Sequence, residues 1–361
     1  MPDVIKLHAG EPDFETPKHV VEAGCQALRE AYTHYTHTAG MLQLREAISR
    51  KLLEENGIEA NPKTEITVTN GGIAAIFAAI QATINPGDEV IILQPSWPSY
   101  AGLVRLADGV PVSAGLRGPD FEPNRADVEQ HITDKAKMII VNSPNNPTGS
   151  VYSRDCLLEI ARLAKEHGLL ILADEVYEKL IFDGNEHFSL ASRSEFKDTT
   201  ITVNSFSKTY AMTGWRVGYA VANEKITADI RKMHGYMVSC APSSAQKAAL
   251  EALLGPQDCI TEMVEEYLRR RDQIVKGLND IDGFQCSVPK GTFYAFPNVS
   301  RLGATSAKTA EELLARAKTA TIPGSAFGDA GEGYLRLSFA SSQQNIQEAL
   351  TCIKTWRSSR M

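Results

Sequence analysis

Between residues 65 and 221, short β-branched and aliphatic runs alternate with stretches of helical spacing. The runs fall at 65–69, 89–93, 137–141, 169–173, 200–203 and 216–221. Several are apolar at consecutive positions, the pattern of strands covered on both faces. Gly71-Gly72 follows the first run and opens an apolar helical stretch through Ala82. Strands joined by helices predict right-handed crossovers and a mainly parallel sheet. The texture changes near Gly255-Pro256. Beyond it Ile260, Met263, Val264, Tyr267, Leu268, Arg271, Ile274, Val275 and Leu278 recur at spacings of three and four, which predicts a long amphipathic helix. A segment at 291–296, a helix near 310–318 and a strand at 334–339 then predict a smaller α+β domain, completed by the N-terminal segment. The expected division is a large domain of 18–258 and a small domain of 1–17 and 259–361.

Composition narrows the function classes. The chain has 361 residues, enough for roughly two to three domains, and a chain of that length needs no disulfide or metal to hold its core. It carries 37 basic and 44 acidic residues, a net charge of −7, without the basic excess that marks nucleic-acid binding. No apolar run approaches the length of a membrane span. Six cysteines are scattered with no CxxC and no ligand-like spacing to histidine, so no metal site is expected. The first residues, Met1-Pro2-Asp3-Val4-Ile5-Lys6, lack a signal-peptide pattern. Together these predict a cytoplasmic protein with free thiols.

Ligands of an open parallel sheet bind beyond the carboxyl ends of its strands. Four of those ends are polar here: Asn70-Gly71-Gly72, Asn142-Ser143-Pro144-Asn145-Asn146-Pro147-Thr148-Gly149, Asp174-Glu175-Val176-Tyr177 and Asn204-Ser205-Phe206-Ser207-Lys208. Neither GxGxxG nor GxxxxGK[ST] occurs, so dinucleotide and Walker-type sites lack their glycines. Asp174 ends the most apolar strand, where a carboxylate needs a partner to offset its burial. Gly72, Ile73 and Ala74 open a helix directly after a strand, where free N–H groups and the helix dipole favour an anion. Asp, Asn, Tyr and Lys gathered at strand ends suit a cofactor that has both a ring and an anionic group.

The stretch Ser205-Phe206-Ser207-Lys208-Thr209-Tyr210-Ala211-Met212-Thr213-Gly214-Trp215-Arg216-Val217-Gly218 closely resembles the lysine signature of the class I pyridoxal-phosphate aminotransferases. The resemblance extends from Gly10-Glu11-Pro12-Asp13-Phe14 to Arg336-Leu337-Ser338, nearly the whole chain. It implies an α/β fold of type I: a large domain with a mainly parallel seven-stranded sheet, plus a smaller α+β domain. It also implies pyridoxal 5′-phosphate as cofactor, amino acids and 2-oxo acids as substrates, and a homodimer.

Carried over residue by residue, Lys208 resembles the lysine that holds the cofactor as a Schiff base and then moves the substrate proton. Lysine suits this because it loses its charge readily when buried near other cations. Asp174 resembles the partner of the pyridinium nitrogen, whose protonation keeps the ring an electron sink. Asn146 and Tyr177 resemble the donors to the ring oxygen, and Trp97 the aromatic stacked on the ring. Gly72, Ile73, Ala74, Ser205, Ser207 and Arg216 match the phosphate cup. Tyr35 matches a tyrosine that reaches the phosphate from the neighbouring subunit. Arg336 resembles the clamp on the substrate α-carboxylate. Strand alternation sets it opposite Leu335 and Leu337, a buried cation seeking an anion. By the same resemblance, Gly10, Trp97 and Asn146 are expected to border the substrate.

One departure stands out. Nine residues precede Gly10, where the family usually has some thirty that form an arm over the site. Two rival readings share the core: a carbon–sulfur β-lyase, and a non-catalytic effector-sensing module. On the substrate side, Phe77-Ala78-Ala79-Ile80-Gln81-Ala82 carries no lysine where aspartate-selective bacterial relatives commonly place one. A neutral amino donor, apolar or aromatic, is therefore expected ahead of aspartate, unless Arg105 or Arg117 reaches the pocket.

Overall fold

The computed structural model describes residues 4–360, so Met1 to Asp3 and Met361, assigned above to the small domain, lie outside the described residues. Seven strands form the central sheet: β1 (Ile66–Thr69), β2 (Glu89–Gln94), β3 (Val110–Gly115), β4 (Ala136–Asn142), β5 (Leu170–Asp174), β6 (Thr200–Ser205) and β7 (Gly218–Val221). Their order is β1-β7-β6-β5-β4-β2-β3. All neighbours are parallel except β7, which runs antiparallel to both β1 and β6.

The apolar runs form strands because both sheet faces are covered. Ile139 and Ile171 pack on one face with Leu157, Ile160 and Leu163 of the helix Arg154–Glu166. Ile140 and Leu172 pack on the other with Ala75, Ile76 and Ala79 of the helix Gly72–Thr83. Burying one such side chain is worth about 1.5–3 kcal/mol, so a strand with alternating polar positions could not occupy the middle of this sheet.

Two strands depart from the expectation. Val110–Gly115 was not among the apolar runs, since it is an edge strand with a proline and mostly half-buried or exposed residues. The run 216–221 becomes a strand only from Gly218, because Arg216 sits in a left-handed turn at φ 57°.

Beyond the sheet, the long helix is Asp258–Asn279, close to the expected span. The helix expected near 310–318 is Ser306–Arg316, and it ends before Lys318, which has φ 51°. A three-stranded sheet joins β8 (Tyr294–Ala295), β9 (Ile322–Pro323) and β10 (Leu335–Ser338) in the order β9-β10-β8, all antiparallel. Ile5–Lys6 pairs in parallel with Thr319–Ala320. Leu7 enters one apolar cluster with Met263, Tyr267, Ile274, Leu337, Ile353 and Trp356, which ties the N-terminal segment to the C-terminal part. Among the described residues, no helix is long and apolar enough to cross a membrane. The six cysteines are free.

Candidate active site

Sheet register brings the polar strand ends together. Asn142 at the end of β4 stands opposite Asp174 at the end of β5, and Asp174 opposite Val203 of β6. Gly218 pairs with Thr69 on one side and Ser205 on the other, which sets the glycine turn after β1 beside the serine turn after β6. A Cβ on Gly218 would meet the Gly72 nitrogen at 2.6 Å, so this approach requires glycine. A cavity of about 490 Å³ opens over these ends.

Lys208 lies in a short helix, Phe206–Thr209, that begins where β6 stops. Its Nζ donates to Gly10 O at 2.5 Å and sits between the rings of Tyr177 and Phe293, 5.9 and 5.7 Å from their centroids. Burial pulls its amine down to about 8. Arg336 and Arg216 act in the same direction, while Glu11 and Asp174 oppose it. A lysine so placed has a neutral fraction available for addition to an aldehyde.

Asp174 is 3% exposed. Its Oδ2 accepts from Tyr100 Oη at 2.6 Å and its Oδ1 from Val176 N–H at 3.3 Å. Burial pushes its carboxyl up to about 6, against the two donors. Among the described residues no cation pairs with it directly, so the site presents a desolvated carboxylate toward the cavity.

Arg336 shows the complementary deficit. It is 7% exposed, and its guanidinium lies 4.4 Å from the Tyr294 ring centroid and 4.9 Å from that of Phe327. Nη1 donates to Asn146 Oδ1 at 2.9 Å and Nη2 to His8 O at 2.8 Å, while Nε has no partner. Among the described residues no carboxylate pairs with it. A buried guanidinium held only by neutral acceptors is built to receive an anion.

The glycine-turn side of the cavity is an N–H and hydroxyl cradle. Gly72 and Ile73 stand at the open end of their helix, and Arg216 lies against Gly71, with Nη1 held by Thr213 O at 2.7 Å. Ser205 Oγ and Ser207 Oγ are 2.9 Å apart beside them. Ala74 differs from its expected place. Its N–H already donates to Gly71 O at 3.2 Å, and it packs inward rather than onto the cavity. The turn closes one residue early, so two amides remain free for an anion, not three.

Gly10, Gly72, Ile73, Trp97, Asn146, Asp174, Tyr177, Ser205, Ser207, Lys208, Arg216 and Arg336 thus line one cavity. Tyr35 does not; it is 86% exposed on the loop before the helix Leu42–Asn56. Seven lining residues had no expected role, Tyr100, Tyr294 and Glu11 among them. Tyr100 follows Trp97 by three positions and meets it edge-on at 5.4 Å. Tyr294, from the 291–296 segment, bonds Tyr177 Oη at 2.9 Å. Glu11 accepts from Thr213 Oγ1.

Behind the site, the segment that carries Asp174 and Tyr177 is anchored by buried polar groups. Lys51 pairs with Glu178, and Asn56 donates to Glu178 Oε2 at 2.7 Å and to Ser189 Oγ at 2.9 Å. Ser189 donates in turn to Glu175 Oε2, which also meets His187 Nε2 at 2.9 Å. Burial alone would raise the Glu178 carboxyl, yet Lys51, His187 and Asn56 hold it at about 2. Glu175, Glu178 and His187 offer three ligand atoms within 4.8 Å. The Lys51 ammonium already pairs with Glu178 among them.

The model of the aminotransferase class I and II family matches residues 2–353. The chain belongs to that family. This aminotransferase is 44% identical over 353 residues to the aspartate aminotransferase of Pyrococcus abyssi, a match covering 97% of this chain and 90% of that one. It is 41% identical to aromatic-amino-acid aminotransferase 2 of Thermococcus litoralis, over 96% of this chain and 90% of that one. The crystal structure of the aromatic aminotransferase from Pyrococcus horikoshii superposes with a TM-score of 0.97 at 43% identity, covering 99% of this chain and 96% of that one. The fold is therefore the expected α/β aminotransferase fold, and the chemistry is amino-group transfer, the first of the three readings left open above.

Proposed function

We propose that this aminotransferase binds pyridoxal 5′-phosphate and takes its amino group from donors with neutral, apolar or aromatic side chains. The buried residues fit that cofactor. Asp174 lacks a cation, the Gly72 and Ile73 amides stand open with Arg216 beside them, and Lys208 is depressed toward neutrality. Lys208 would hold the cofactor covalently, Asp174 its ring nitrogen, Asn146 and Tyr177 its ring oxygen, and Trp97 its face. Gly72, Ile73, Ser205, Ser207 and Arg216 would hold the phosphate. When bound, the cofactor supplies an electron sink for the pair left at the substrate Cα.

The chain's own groups do the rest. Arg336 clamps the α-carboxylate beside Gly10 and Asn146, which orients the Cα–H bond. Lys208 Nζ takes that proton and returns it at the neighbouring carbon. Tyr294 holds Tyr177 Oη, and the aromatic walls keep water away from the amine.

The observation behind the donor class is the cation count around the cavity. Its lining holds Lys208, Arg216 and Arg336, each with a role in holding the cofactor or the α-carboxylate. Arg105 and Arg117 are exposed and lie outside the lining. The side-chain region offers Ile73, Ile76 and Trp97, and a distal carboxylate desolvated there would go unpaired. Half-reaction rates should therefore favour phenylalanine and methionine over aspartate. Aspartate leading the series by about tenfold, about 1.4 kcal/mol, would refute the neutral-donor reading.

On the same reading the protein is a cytoplasmic homodimer. The chain divides into a large domain of 18–258 and a small domain of 1–17 and 259–361, and Tyr35 serves the neighbouring subunit's phosphate. The exposure of Tyr35, which leaves its ring free to meet a neighbouring subunit, supports the sharing. Tyr35→Phe should weaken cofactor retention. Mixed with Lys208→Ala protein, it should form heterodimers in which one site has both residues intact and regains activity. Mixtures no more active than their parts would remove Tyr35 from the shared site.

A further inference from the structure

Tyr100 is 1% exposed, and its hydroxyl has one partner, Asp174 Oδ2 at 2.6 Å. It belongs to the helix Ser99–Arg105, which starts just after Trp97, and the two rings meet at 88°. The element that supplies the aromatic face of the cavity therefore also reaches beneath it to the buried carboxylate. With Oδ1 held by Val176 N–H, both Asp174 oxygens are oriented before any ligand arrives.

A phenol that donates to a carboxylate does two things. It fixes the rotamer, and it takes up part of the anion's charge, which lowers the group's proton affinity. The titratable groups facing Asp174 are Tyr100, Glu175 and Tyr177 on the following segment, and Lys208 beyond β6. Lys208 Nζ donates instead to Gly10 O, and Tyr177 Oη bonds Tyr294. Tyr100 is thus the only side chain among these that donates to the carboxylate.

We propose that Tyr100 is a positioning residue that sets the orientation and proton affinity of Asp174, and through it the pH range over which the site accepts a pyridinium ring. The inference rests on the proposed cofactor. The sign follows from the charges. An ionised Asp174 attracts the ring's N–H, and a protonated one does not. Affinity should therefore fall as pH drops through the Asp174 pKa, which burial raises to about 6 against the Tyr100 donation. Removing that donation raises the pKa further and moves the fall to higher pH.

The test is equilibrium binding of pyridoxamine 5′-phosphate, which forms no bond to Lys208, to full-length cofactor-free protein across that range. Titrations of the ligand itself are common to all variants and cancel in the comparison. Tyr100→Phe should shift the pH profile upward by about one unit, a tenfold change in proton affinity or about 1.4 kcal/mol. Replacement of Tyr100 by 3,5-difluorotyrosine, a stronger donor of nearly the same shape, should shift it downward. That second variant keeps the test decisive if Tyr100→Phe folds poorly. Tyr152→Phe, which removes an unpartnered buried hydroxyl elsewhere, should leave the profile in place. Profiles that coincide with wild type, or binding weakened equally at every pH, overturn the role of Tyr100. A wild-type protein that binds no pyridoxamine 5′-phosphate at any pH overturns the proposed cofactor itself.

Discussion

With the proposed cofactor bound, the purified enzyme should be yellow, and Lys208→Ala should remove the colour and reduce amino-group transfer by about 10⁴-fold or more, about 5.4 kcal/mol. The magnitude follows from the absence of a substitute. Among the described residues Lys208 is the only lysine lining the cavity, and on the proposed reading its amine performs both the covalent attachment and the proton transfer at Cα. Its environment supports the first role directly. Burial, Arg336 and Arg216 bring the amine down to about 8, within reach of neutral pH. Borohydride fixation of the wild-type protein, followed by peptide mass spectrometry, should find the cofactor on the peptide holding Lys208. Attachment to another lysine would sink the assignment.

Asp174→Asn is expected to keep the cofactor yet lose roughly a thousandfold in turnover. The amide has nearly the same shape, and its oxygen still accepts from Val176 N–H or Tyr100. What disappears is the charge. A unit charge about 4 Å from the ring nitrogen, at an effective dielectric near 20, is worth on the order of 4 kcal/mol, and that attraction grows in importance as electrons enter the ring. Single-turnover rates on variant and wild type, each saturated with cofactor, measure the loss. Near-normal turnover in a variant that retains cofactor would show that Asp174 acts only through packing.

Two kinds of buried charge stand side by side in this protein. Among the described residues Asp174 and Arg336 are each buried without an ion-pair partner, a state that costs stability until something charged arrives. Glu178 is buried too, but Lys51 completes it within the chain. The first two are open valences at the cavity, whereas the third is a closed fastening behind it. Sequence spacing does not distinguish them, since Glu178 lies four residues from Asp174 in the same polar stretch.

Much of the sheet and most of the site were legible in the chain because their signals are local. A strand covered on both faces must be apolar over consecutive residues, as in Leu170–Asp174, and the polar residue that ends it sits at the sheet's carboxyl edge whatever the rest of the fold does. The signature around Lys208 is likewise continuous in sequence. The remainder depended on long-range approach. Tyr100 and Asp174 are 74 residues apart, Tyr177 and Tyr294 117, Arg336 and Asn146 190, and Lys208 and Gly10 198. No periodicity carries such a pairing, because it depends on how sheet register and the C-terminal segment meet. The same holds for β7, whose antiparallel direction reflects the chain's return at the same sheet edge, where Gly218 pairs with Ser205, and for the edge strand β3, whose mostly half-buried or exposed residues form no apolar run. Hydrophobic patterning by itself determined which segments lie inside and where their polar ends emerge. Tertiary packing alone decided which of those ends touch, which buried charges are completed within the chain, and which are left facing the cavity.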